Sequence, residues 1–366
     1  MHANRRAAGA LALAALAACA PAPARVGTHG PAAAPPRLYV VNQTGASIAV
    51  IDEGRNALDT IIDLRALGFS ATAKPHHVAV EPDGAHWYVS LIGDGRVLKF
   101  DRANRLLGQV ALEVPGLLAL DPAGDRLYVG RSMTAVNPPP RLGVIRRSDF
   151  TLLDETDVFI RRPHALAVSR DGKHVYAASL AENKVAVLDV AAERVDLLDV
   201  PGPTHTLVQF TISPDGRRLV VAGELSHQLL VYDLADPGKP RLAATVELPA
   251  GSRPWDPVFA PDGRTLYLTL LGANQVAVVD LDRMALAGTI SGRLAQPDGL
   301  AISPGGRFLY VANRNEGPPP KEHEQHGTGP AGQKGWVAVI DRATGQVLET
   351  IEVGPSPTGV GAAGLR

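Results

Sequence analysis

The chain has 366 residues, 45% of them hydrophobic but only 5% aromatic, with a formal net charge of -1. The hydrophobic share suffices for a packed core. The balanced charge, with no Lys/Arg-rich stretch and no aromatic platform between basic residues, excludes a nucleic-acid surface. The one cysteine, Cys19, excludes an intrachain disulfide.

At the start of the chain, Arg5-Arg6 precedes an apolar stretch of 12 residues, Ala7 to Ala18. It is too short to cross a bilayer and has the form of a secretory signal. Its end, Leu16-Ala17-Ala18-Cys19, resembles a bacterial lipobox. That resemblance implies that residues 1–18 are a lipoprotein signal peptide and that Cys19 carries the lipid that anchors the protein to a membrane. Ala20, rather than an acidic residue, follows the cysteine. By resemblance to Gram-negative lipoproteins this favours the outer membrane and a periplasmic setting. Residues 19–36 are rich in Ala and Pro (Pro21, Pro23, Pro31, Pro35, Pro36) and read as a tether.

From residue 37 onward one short turn recurs: Pro82-Asp83-Gly84, Pro122-Ala123-Gly124, Arg170-Asp171-Gly172, Pro214-Asp215-Gly216, Pro261-Asp262-Gly263 and Pro304-Gly305-Gly306. The turn glycines are spaced by 40, 48, 44, 47 and 43 residues. An apolar run precedes each turn, a second strand follows it, and a third strand ends in aspartate (Asp52, Asp101, Asp189, Asp233, Asp280, Asp341). Aspartate at a position shared by so many units is turn chemistry. Self-similarity at this period predicts propeller blades of four antiparallel strands, here named A to D from the axis outward. Six blades begin with their own A strand, at about 75–114, 115–160, 162–202, 203–251, 253–292 and 295–354. Residues 37–64 supply B, C and D strands without an A strand, and Pro357 to Gly361 supply an A strand with nothing after it. The chain is therefore read as an all-β, seven-bladed β-propeller over residues 37–366, its last blade closed by both terminal segments, which removes two open sheet edges.

Leu38-Tyr39-Val40-Val41-Asn42 and Leu309-Tyr310-Val311-Ala312-Asn313, each followed by a Val/Ile-rich strand, resemble the YVTN-type β-propeller repeat family. Further similarity runs to propeller lactonases and to the haem d1 domains of nitrite reductases. The resemblance covers nearly the whole mature chain and implies the fold. Its motifs are strand and turn chemistry, so activity must be argued from a site.

Strand order sends the start of every A strand and every B–C loop to one face, the top, and the repeated turns to the bottom. Aligned by distance to the turn, the A-strand starts are His76-His77, Gly116-Leu117, His164-Ala165, Trp255-Asp256, Asp298-Gly299 and Thr358-Gly359. In the fourth blade His205 sits three residues early, which suggests a place above the mouth of the channel. Two B–C loops are long, Arg131 to Arg141 and Arg314 to Gly335, the latter carrying His323 and His326. His76, His77, His164, His205, Trp255, Asp256 and Asp298 thus form the expected channel-mouth set, and His76, His164, His205, His323 and His326 the candidate metal ligands. Imidazoles gathered at one rim suit a transition metal, Cu or Zn. The haem d1 resemblance implies instead an axial histidine, for which His76 or His164 qualifies, and the lactonase resemblance a divalent cation held by Asp298 and Asn313.

No nucleophile elbow, catalytic cysteine, phosphate loop or H-E-x-x-H motif is present. The favoured reading is a non-catalytic, envelope-anchored module that presents a rigid top face to a partner protein or small ligand. The alternative is a metal- or haem-dependent redox or accessory protein, or a lactonase-like enzyme, with a His/Asp site at the top mouth.

Overall fold

The recurring turn closes an A–B hairpin, and its glycine permits the sharp reversal. Gly84, Gly172, Gly216, Gly263 and Gly306 all have positive φ, between 65° and 74°. In the turn around Asp262 the carboxylate accepts from the amides of Arg264 (2.8 Å) and Thr265 (2.9 Å), a local bond that fixes the reversal. The aspartates ending the C strands do the same at the C–D hairpins; Asp341 accepts from the amides of Ala343 (3.1 Å) and Thr344 (3.0 Å).

The computed structural model describes residues 36–317 and 332–363. Its strands form seven four-stranded antiparallel sheets, the predicted propeller. The A strands of blades one to six are Pro75–Val80, Pro115–Leu120, Pro163–Val168, Leu207–Ile212, Pro254–Phe259 and Pro297–Ile302. The seventh blade takes its A strand, Pro357–Ala362, from the far end of the chain and pairs it with Arg37–Asn42, Leu38 facing Ala362 and Val40 facing Val360.

Alternation along the B strands explains how the blades stack. Leu38 and Val40 face the cluster shared with blade six, around Tyr310 and Val337. Tyr39 and Val41 face the opposite cluster, around Val78, Trp87 and Val89 of blade one. Both faces of the strand are apolar because both are covered. Each fully buried Val or Leu contributes on the order of 1.5–3 kcal/mol. Trp87 stacks between Tyr39 and Phe100, with ring centroids at 4.4 and 4.1 Å. Neighbouring A strands approach closely at some positions. A Cβ on Gly299 would lie 2.2 Å from the Thr358 carbonyl oxygen, so no larger residue fits there without moving the backbone.

The top of every A strand repeats one further device. The residue before the strand is left-handed in all seven blades: Lys74, Val114, Arg162, Thr206, Arg253, Gln296 and Ser356, with φ between 39° and 51°. None is glycine, and a left-handed L-residue costs roughly 1–2 kcal/mol. In each case its carbonyl accepts from the amide of the first residue after the B strand of the same blade. The donors are Ile92 (3.0 Å), Ser132 (2.8 Å), Leu180 (3.2 Å), Glu224 (3.1 Å), Leu271 (3.1 Å), Arg314 (3.2 Å) and Gln43 (2.9 Å). Just beyond, the A–B register slips, so that His76 and His77 together face Ser90, and Trp255 and Asp256 together face Thr269. Such bulges re-aim side chains at rims.

Candidate functional site

The bulge gives the second and third residues of an A strand different jobs. The third turns sideways and sews blades together. His77 Nδ1 accepts from the Leu118 amide of the next blade (3.2 Å), and Asp256 Oδ2 accepts from the Leu300 amide of the next blade (2.8 Å). Gln209 holds the same place in blade four and donates to Asp256 Oδ1 at 3.3 Å. His77 and Asp256, expected at the mouth, are therefore interblade braces.

The second residue turns toward the axis. His76 of blade one and His164 of blade three meet there, with ring centroids 5.8 Å apart, although a whole blade lies between them. They meet because the intervening blade carries Gly116 at the same place and has no side chain to interpose; even a Cβ there would strike the Arg131 carbonyl at 2.4 Å. His164 Nδ1 is 2.9 Å from the Arg131 carbonyl oxygen, which makes Nδ1 the protonated nitrogen and leaves the Nε2 lone pair free of that bond. His76 Nδ1 is held by the Gln43 side-chain nitrogen at 3.2 Å, while His76 Nε2 is buried with no hydrogen-bond partner. Burial lowers the His76 pKa to about 3, helped by His164 and the Arg314 guanidinium, and burial lowers that of His164 to about 4. Both rings are neutral at pH 7.

Asp298, the second residue in blade six, sits beside Arg314, the first residue after its own B strand. Arg314 Nε lies 2.6 Å from Asp298 Oδ2, and the two are only 4% and 5% exposed. Burial raises the Asp298 pKa, with Arg314 and the Trp255 indole acting in the opposite sense. The guanidinium also lies over the Trp255 ring, 5.7 Å from its centroid. Across the mouth Trp255 joins an apolar cluster with Leu180, Val208 and Leu271, and Met133 from the long blade-two loop packs against that cluster.

Several expectations change. His205 is not at the mouth: its Nε2 lies 2.9 Å from the Pro201 carbonyl oxygen and its Nδ1 2.9 Å from Ser226 Oγ, so both nitrogens brace the loop before the fourth A strand. That strand begins with Leu207 in place of proline, and its true counterparts of His76-His77 are Val208-Gln209. Asn313 is spent on backbone, accepting from Ala295 (2.9 Å) and donating to Val311 (2.9 Å), and Asp298 is spent on Arg314, so the pair offers a cation nothing. His323, His326 and Cys19 lie outside the described residues. Among the described residues no three His, Cys, Asp or Glu side chains are grouped as a metal ion requires. Two neutral imidazoles beside a guanidinium are a poor donor set for Cu or Zn. Arg314 and Gln43 escaped the sequence reading, although each immediately follows a B strand whose top lies at this rim.

A family model described as lactonase, 7-bladed beta-propeller, matches residues 148–252. The solved periplasmic gluconolactonase of Pseudomonas aeruginosa superposes with a TM-score of 0.68 at 24% identity, covering 90% of this chain and 99% of that one. A putative 6-phosphogluconolactonase from Bacteroides uniformis gives 0.65 at 19% identity, with the same coverage. The likeness is to propeller lactonases, and it is one of fold. Among curated proteins, antigen Lp49 of Leptospira interrogans is 23% identical over 251 residues, 67% of this chain; the match spans 42% of that relative's length.

Removing one member of the buried Arg314–Asp298 pair strands the other. Arg314→Met is expected to destabilise the protein by roughly 3 kcal/mol or more. Adding Asp298→Asn to that variant should recover much of the loss. Denaturant melts of the two single variants and the double variant measure the coupling, and strictly additive losses would contradict the pairing.

Proposed function

We propose that the protein hydrolyses a cyclic ester, a lactone, at the top mouth of the propeller. The observation that carries this reading is the buried, unpartnered Nε2 of His76, whose ring centroid lies 5.8 Å from that of the neutral His164 ring and whose imidazole feels the Arg314 guanidinium. An orphaned polar atom in a dry site costs about 1–3 kcal/mol, a cost that a bound carbonyl or hydroxyl oxygen removes. The match of the lactonase family model to residues 148–252 supports the same reading, and of the two readings drawn from the sequence it favours the lactonase-like alternative over the non-catalytic module.

The residues divide the reaction as follows. His164 Nε2, with its lone pair kept free by the bond at Nδ1, takes a proton from the attacking water. Oxygen adds to the lactone carbonyl carbon, and the resulting oxyanion is stabilised by the Arg314 guanidinium and by a proton on His76 Nε2. The ring C–O bond breaks, the proton held on His164 passes to the alkoxide, and a hydroxy acid leaves. Both imidazoles start neutral, so one can accept while the other donates.

The test is lactone hydrolysis above the spontaneous rate, with gluconolactone as the first substrate. His164→Ala should lower kcat/KM by about 100-fold or more. His76→Gln, which keeps a donor, should lose less than His76→Ala. Tight lactone binding without turnover would return the protein to the rigid binding module. The envelope anchor at Cys19 belongs to this proposal on sequence grounds alone. Cys19→Ser should release the protein from the membrane fraction, and unchanged fractionation would remove the anchor from the account.

A further inference from the structure

The sevenfold repeat supplies an internal control for one residue that this chemistry does not use. Two of the seven left-handed residues before the A strands are arginines, Arg162 in blade three and Arg253 in blade five. Each reaches the start of the B–C loop of the preceding blade. For Arg253 the first residue of that loop is Glu224, which takes the Nε proton at 3.0 Å and forms an ion pair with the guanidinium. For Arg162 the same place holds Ser132, which has no charge and whose hydroxyl engages Thr134 at 3.0 Å. Arg162 therefore forms no ion pair among the described residues. One terminal nitrogen donates to the Met133 carbonyl, and Nε is buried with no hydrogen-bond partner.

Only Pro163 separates Arg162 from His164, and its positive charge is one of the influences that hold that ring neutral, after burial itself. Burial also pushes Arg162 below the ordinary arginine range. The protein thus keeps a partly desolvated cation at the rim where its own architecture offers a place for a neutralising glutamate. An uncompensated buried guanidinium is costly, and its forked donors suit planar or tetrahedral oxyanions.

We propose that Arg162 is an anion-binding residue at the mouth, and that the ligand taken there carries a carboxylate or phosphate group held by the Nε edge of its guanidinium. That the ligand is the substrate or its hydroxy-acid product rests on the lactonase reading; anion binding itself does not.

Titration calorimetry with inorganic phosphate and, separately, acetate tests this on the full protein. Wild type should bind at least one of the two, and the tighter of them distinguishes a phosphate from a carboxylate source. Arg162→Gln should weaken that binding by about tenfold or more, with Arg162→Lys in between. Ser132→Glu, which recreates the Glu224 arrangement, should weaken it likewise, whereas Ser132→Gln should not. Circular dichroism melts establish that each variant is folded. Absence of anion binding in wild type, or equal affinity in folded Arg162→Gln, overturns the proposal. Arg162-dependent binding in a protein that hydrolyses no lactone would sink the lactonase reading and leave this one standing.

Discussion

One local bond, repeated in every blade, organises the top of this propeller. A left-handed residue turns the chain into the A strand, and its carbonyl is pinned by the first amide beyond the neighbouring B strand, at 2.8 to 3.2 Å. Left-handed residues such as Val114 and Thr206, both β-branched, are strained on their own and persist because the surrounding hairpin over-determines them. The bulge that follows allots consecutive side chains to different tasks, one to the axis and one to the neighbouring blade. The site is thus a by-product of how the ring is locked, and blade-to-blade variation at two positions gives it its chemistry.

That division explains the electrostatics. The axis-facing set of His76, His164, Trp255 and Asp298 lies in a nearly dry mouth, with exposures of 8%, 2%, 8% and 5%. Low solvation keeps both imidazoles neutral and lets Asp298 sit there only with Arg314 beside it. Outside that setting, such as at a solvated loop, the same histidines would titrate in the ordinary range. Rigidity follows from closure: with Arg37–Asn42 and Pro357–Ala362 sharing one sheet, no blade is free to swing and the rim groups are held in place before a ligand arrives.

Much of this was legible in the sequence. The turn spacing and the complementary fragments at the two ends of the propeller give seven blades and their closure, because period and strand count are chain-local. Alignment to the turns also brought His76, His164, Trp255 and Asp298 to one rim. Three things were hidden. The bulge cannot be read from alternation, so His77 and Asp256 looked like mouth residues when they are braces. The fourth A strand lacks the proline that starts the other six, and so its pair Val208-Gln209 went unread while His205, three residues earlier, was placed above the mouth. Arg314 and Arg162 carry no motif; Arg314 is known by its pairing with Asp298, and Arg162 by comparison of equivalent positions in different blades, where Glu224 and Ser132 part company.

The claim on which the chemistry depends is that two imidazoles from blades one and three share one dry mouth, which nuclear magnetic resonance of the histidine rings tests directly. We expect a through-space contact between the ring protons of His76 and His164, and nitrogen shifts of neutral imidazole for both from pH 8 down to pH 5, since their pKa values are lowered to about 3 and about 4. Two rings with no mutual contact that take up protons near pH 6.5, the ordinary value for a solvated histidine, would contradict the account.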